Sequence, residues 1–237
     1  MTRRQNLVAD QAARLKASVA MTPDARSCVI VTGMPGAGKS TVAGLAARLL
    51  PKAAQVRGDD MNQMIKSGYV GWMGKPADEA LRQDELCNRN MCSLANNFID
   101  FGFTVLMDTV LADRAELDFF LALLSPRPVR LVVLAPGSDV CRHRNATRDP
   151  DDRFDFDEYE QLEADMNREF GDAGWWFDTS ALKPDETAER LVAEVPDRTT
   201  PLAAGWHTWL RRLHDVEPES AISGARRAPF VRADCSP

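Results

Sequence analysis

Lys39 and Ser40 close the run Gly33-Met34-Pro35-Gly36-Ala37-Gly38-Lys39-Ser40-Thr41, which follows the apolar residues Val29, Ile30 and Val31. Its spacing, G-x-x-x-x-G-K-[ST], is that of a loop that cradles nucleotide phosphates. Each residue type has a physical task. Glycines 33, 36 and 38 let backbone N–H groups curl around an anion without Cβ clashes. A helix starting near Lys39 turns the positive end of its dipole toward that anion. Lys39 supplies a mobile charge for β- and γ-phosphates, and the Ser40 hydroxyl is a ligand type suited to Mg²⁺. ATP with Mg²⁺ is the ligand pair this stretch calls for, with residues 33–41 in contact with the nucleotide.

Ligands of open α/β sheets bind at the carboxyl ends of the strands, and that rule selects three further places. Arg57-Gly58-Asp59-Asp60 follows the second apolar run. A carboxylate there can take the proton of an attacking hydroxyl, or it can cap the helix that Met61, Met64 and Ile65 suggest. Asp108 ends Val105-Leu106-Met107, where it can hold Mg²⁺ or orient an acceptor, or merely begin a turn. Thr109 follows it in place of a water-activating glutamate, which favours transfer over hydrolysis. Arg142, Arg144, Arg148 and Arg153 follow the fourth run. Arg144 and Arg148 are spaced to share one face and can neutralise charge on the triphosphate; the alternative is a solvated surface paired with Asp149, Asp151 and Asp152. Tyr69, Trp72 and Met73 lie between Asp60 and the next long helix, as substrate contacts or as packing against the body.

The elements that must position these groups are legible from periodicity. Strands are expected at 28–32, 54–57, 104–107, 130–134 and 175–178. Helices are expected at 39–50, 78–101, 114–124, 138–147, 158–170 and 184–194. Alternation of short apolar strands with helices implies an α/β fold with a parallel sheet covered on both faces. Three regions follow: an N-terminal extension over 1–26, in which Val8, Ala12, Leu15 and Val19 fall at helical spacing and would pack on the domain; a nucleotide-binding domain over 27–196; and a C-terminal stretch over 197–237, with one helix around Trp206 to Leu213 and a mobile tail.

The chain has 237 residues, a formal charge of −6 and 44% hydrophobic residues, proportions of a globular domain with a sizeable core. The negative charge argues against broad contact with nucleic acid or anionic membranes. No apolar stretch is long enough for a membrane span. The five cysteines include no C-x-x-C pair, which argues against a disulfide framework or zinc site and fits a reducing cytoplasm. His143, His207 and His214 form no ligand or triad pattern. An oligomer is left open.

Together these residues resemble the phosphate-loop kinases that include chloramphenicol phosphotransferase, the kinase domain of polynucleotide kinase, and the gluconate and shikimate kinases. The likeness runs from Cys28 to Val195 and rests on GMPGAGKST (33–41), VRGDDMNQMI (56–65), VLMDT (105–109) and RNATR (144–148). It implies a phosphate-loop nucleoside triphosphatase fold, a three-layer αβα sandwich with five parallel strands in the order 2-3-1-4-5. It also implies a general base at Asp59, catalytic roles for Lys39, Arg144 and Arg148, a metal or acceptor role for Asp108, and acceptor contacts at Asp59, Asp60, Asn62, Tyr69, Trp72 and Asp108. One departure matters. Where polynucleotide kinases carry an arginine three residues after the base, this chain has Asn62. The expected activity is ATP-dependent phosphorylation of a hydroxyl on a small molecule: an antibiotic (and hence antibiotic resistance), a sugar or a nucleoside-like metabolite. The alternatives are a 5′-hydroxyl polynucleotide kinase and, in another class, a nucleotide-binding regulatory ATPase.

Overall fold

A computed structural model describes residues 26–71, 74–111, 113–149, 153 and 157–202. The elements run β1 (Cys28–Gly33), α1 (Lys39–Leu49), β2 (Ala53–Arg57), α2 (Gly58–Gln63), α3 (Ala77–Asp100), β3 (Thr104–Asp108), α4 (Arg114–Leu124), β4 (Val129–Leu134), α5 (Ser138–Ala146), α6 (Tyr159–Phe170), β5 (Trp175–Phe177) and α7 (Pro184–Arg198). The five strands form one parallel sheet in the order β2-β3-β1-β4-β5, as expected. Right-handed crossovers set α1 and α7, which pack on each other, on one face, and α3 and α4, which also pack together, on the other.

Burial explains the apolar runs. Every residue of β1 and β4 is buried, because strands in the middle of a doubly covered sheet have no solvent face. β2, at the edge, is half-buried except for Val56. α3 turns Cys87, Met91, Cys92, Ala95 and Ile99 inward and ends at Gly102, whose positive φ of 83° is the left-handed stop that glycine accommodates. Leu117, Phe120 and Leu124 of α4, on the same face of the sheet as α3, and Phe170 of α6 are buried as well.

α2 stops at Gln63, and Met64 beyond it is 64% exposed. Residues past 196 are tied to the sheet. α7 continues through Pro196 to Arg198, and Leu202 forms an antiparallel bridge to Val129, its N–H donating to the Val129 carbonyl at 2.7 Å. The buried Arg130 guanidinium donates to the Thr199 carbonyl and, at 3.0 Å, to its hydroxyl. These bonds fasten residues 199–202 to the start of β4. The sequence pattern missed them because no apolar period marks them. The N-terminal extension, Trp72, Met73 and the stretch around Trp206 to Leu213 lie outside the described residues.

Candidate active site

The phosphate loop joins β1 to α1 across the carboxyl edge of the sheet. Its glycines are required by close approach as well as by φ. A Cβ at Gly33 would lie 2.6 Å from the Leu134 carbonyl oxygen, and one at Gly36, where φ is 84°, would lie 2.4 Å from the Cys141 carbonyl oxygen. The loop is therefore pressed against the end of β4 and the backbone of α5, with no room for a side chain. Gly38 caps α1 in the left-handed conformation, with φ 96°.

Lys39 Nζ donates to the carbonyls of Gly33 and Met34 at 2.9 and 3.1 Å. Burial lowers its pKa, and the carboxylates of Asp108 and Asp59 act against that. Asp108 ends β3 in register with Val31 of β1 and Arg57 of β2. It is buried, and burial raises its pKa, opposed by the charge of Lys39 and by a hydrogen bond from the Ser40 hydroxyl. Strand register thus brings the loop's cation and hydroxyl to one carboxylate distant in sequence. Ser40 itself is fixed through its carbonyl, which accepts from Gln55 Nε2 at 2.8 Å.

Asp59 and Asp60 lie in the first turn of α2. The residue in the capping position is Arg57, and no side chain caps this helix. The capping role considered for these aspartates is therefore not theirs. Their anchor is the Arg57 guanidinium, 3.2 Å from an Asp60 carboxylate oxygen, 4.0 Å from Asp59 and 3.8 Å from Asp108. Arg57 makes one cluster of the carboxylates at the ends of β2 and β3. The motif reading spanned this residue but gave it no role.

Arg144 and Arg148 converge on the other side of the loop. Arg144 donates to the Ala37 carbonyl at 3.3 Å and to the Thr179 carbonyl at 3.4 Å. Both arginines line a cleft of about 240 Å³ with Gly38, Thr41, Thr179 and Pro184. Arg148 lies just past the end of α5, so the two meet at the cleft without sharing the helix. Arg142 pairs instead with Asp139 and Glu160, the surface role considered for the group, and Arg153 Nε donates to the Arg148 carbonyl at 3.0 Å. Thr179 and Pro184 went unnoticed in the sequence. The signal was available, since Thr179 follows β5 and the strand-end rule applies to the fifth strand as to the others.

Beyond α2, Gln83 of α3 pins the loop over 68–70. Its side-chain carbonyl accepts from Val70 N and its amide donates to the Gly68 carbonyl, both at 2.8 Å. That loop holds Tyr69 half in solvent. Asn62 is half-buried in α2. Four cysteines (Cys28, Cys87, Cys92 and Cys141) are free and buried. Burial pushes the Cys141 thiol up to about 11 and the Cys87 thiol to about 12, so neither is a nucleophile at neutral pH. Among the described residues no three His, Cys, Asp or Glu side chains converge as a metal cage. The oxygen pair of Ser40 and Asp108 fits Mg²⁺, which takes one or two protein oxygens and completes its shell with water and phosphate.

The profile of a family described as "AAA domain" matches residues 28–171. Among solved structures, the tunicamycin resistance protein of Deinococcus radiodurans superposes with a TM-score of 0.55 and 19% identity, covering 75% of this chain and 100% of that one. A sugar kinase from Janibacter sp. superposes with a TM-score of 0.53 and 17% identity, covering 70% and 93%. At such identities the likeness is one of fold, that of phosphate-loop kinases. A search of curated protein sequences gives no match. No helix among the described residues is long and apolar enough to cross a membrane.

Proposed function

The chain belongs to the AAA domain family, and from that premise we propose that it is an ATP-dependent phosphotransferase that moves the γ-phosphate to a hydroxyl of a small molecule. The observation that carries the reading is the bridge from Asp59 through Arg57 to Asp108, with Asp108 bonded in turn to Ser40. A hydrolase needs an activated water beside the loop. A transferase needs a base on the far side of the γ-phosphate from the leaving group, and Asp59, at the end of the adjoining strands, has the chemistry for it.

In this reading the loop amides and Lys39 bind the β- and γ-phosphates, Lys39 exchanging its carbonyl partners for phosphate oxygens. Asp59 accepts the proton of the attacking hydroxyl. Arg57 holds Asp59 near Asp108 against their mutual repulsion. Arg144 and Arg148 close over the donor and neutralise charge as the phosphoryl group transfers. Ser40 and Asp108 would hold Mg²⁺, which would supply positive charge to offset that of the phosphates. The acceptor lies toward Asp60, Asn62 and Tyr69. Its class is that of the chloramphenicol phosphotransferase-like and small-molecule kinases: an antibiotic, a sugar or a nucleoside-like metabolite. One structural neighbour is named a sugar kinase and the other a tunicamycin resistance protein, names that agree with such an acceptor. The test is a screen of hydroxyl compounds for ADP release, with NMR to locate the phosphorylated oxygen. ATP consumed at the same rate with and without any acceptor would sink the proposal.

A further inference from the structure

The amino-terminal edge of the sheet, opposite the active site, carries an apolar groove of about 240 Å³ lined by Leu94, Asn97, Phe98, Phe101 and Phe103. It lies where α3 ends and β3 begins. Phe98 and Phe103 meet edge to face, with centroids 5.6 Å apart. Lys52 holds the groove's shape, its ammonium 4.5 Å from the Phe103 centroid and donating to the Phe101 carbonyl at 2.5 Å. Phe101 nevertheless remains 78% exposed. A built aromatic groove with its largest wall in water is a surface made to be covered.

The register of the sheet points to what covers it. Cys28 pairs with Val105, and the Ser27 carbonyl accepts from Val105 N at 2.9 Å. Continued back, the same pairing sets Arg26 beside Phe103, one strand spacing or about 5 Å away. Arg26 therefore stands next to the groove, and 25 residues precede it in the sequence. Within them Val8, Ala12, Leu15 and Val19 recur at intervals of four, three and four, the stripe by which an amphipathic segment fills a groove. The seven residues from Val19 to Arg26 span at most about 23 Å, ample for this reach. The C-terminal residues start from the wrong side. Leu202 bridges Val129 on the β5 side of β4, three strand spacings or about 14 Å from β3.

We propose that the groove of Leu94, Phe98, Phe101 and Phe103 is the docking site for residues 8–19 of the same chain. The N-terminal segment straps the junction of α3 and β3, whose far ends carry Gln83 and Asp108.

Trypsin reads this directly, because Arg14 and Lys16 lie inside the segment. Cleavage at these sites in the full-length protein is expected to accelerate about tenfold or more on Phe101→Ser, since docked residues are cut only when they open. Leu15→Asp should raise hydrogen exchange over residues 94–104, and the double variant should add little to either single. Should Phe101→Ser fail to fold, Leu15→Asp, which changes no residue between 26 and 202, carries the test alone. Equal cleavage and exchange in wild type and variants overturns the proposal. So does acceleration at Arg211 and Arg212 instead, which assigns the groove to the C-terminal residues. A dimer that Phe101→Ser converts to monomer assigns it to a second copy and overturns it too.

Discussion

Lys39, Asp59 and Asp108 share one difficulty: each must hold charge close to the others in a place partly closed to water. Under the proposed function Lys39→Ala removes the charge that would meet the β- and γ-phosphates, and ADP release with acceptor present is expected to fall to background. Asp59→Asn keeps the shape but cannot take a proton, so turnover should drop about 10²- to 10⁴-fold while ATP binding, followed by calorimetry, is retained. Wild-type turnover in that variant removes Asp59 from the mechanism. Asp108 gives a pH test. Burial is the largest influence on it and raises its pKa even with Lys39 and Ser40 opposing. The folded protein therefore binds this proton more tightly than the unfolded chain, and the ionised carboxylate weighs against folding at pH 7. Asp108→Asn should melt above wild type at pH 7, and the gap should close as pH falls below the unfolded carboxylate value of about 3.9. A variant that melts lower at pH 7 contradicts this account of the site's electrostatics.

Among the elements, the strands and long helices were legible because burial writes a period into the sequence: two-sided burial gave β1 and β4 their mostly apolar runs, interrupted by Thr32 and Arg130, and one-sided burial gave α3 its stripe. The phosphate loop was legible because only glycine survives against the Leu134 and Cys141 carbonyls. What escaped has no period. Arg57 is a single side chain whose role exists only through the β2–β3 register. Thr179 and Pro184 reach the cleft because β5 lies beside β4. Residues 199–202 are held by the buried Arg130 and one antiparallel bridge. That last element supports a prediction. A chain ending after residue 196 leaves Arg130 buried without its Thr199 partners, and should be less stable by about 1–3 kcal/mol than one ending after residue 202, as measured by urea unfolding. Equal stability would show that residues 199–202 add nothing to the fold.

For the molecule as a whole, one sheet and one continuous core imply a single cooperative melting transition. ATP with Mg²⁺ at a hundred times its dissociation constant should stabilise the fold by about 2.7 kcal/mol. A matching rise in melting temperature is expected in wild type and should vanish in Lys39→Ala. The formal charge of −6 leaves little long-range attraction for a polyanion, consistent with a small acceptor. The packing of the phosphate loop also has a consequence for how the protein is made. Gly33 and Gly36 rest on backbone that arrives a hundred residues later, at Leu134 and Cys141. At roughly 5–20 residues per second, a chain on the ribosome exposes its glycine motif for several seconds before the surface that shapes it exists. Nucleotide capture during synthesis therefore waits for α5, and a message broken before that codon yields a motif without a binding site.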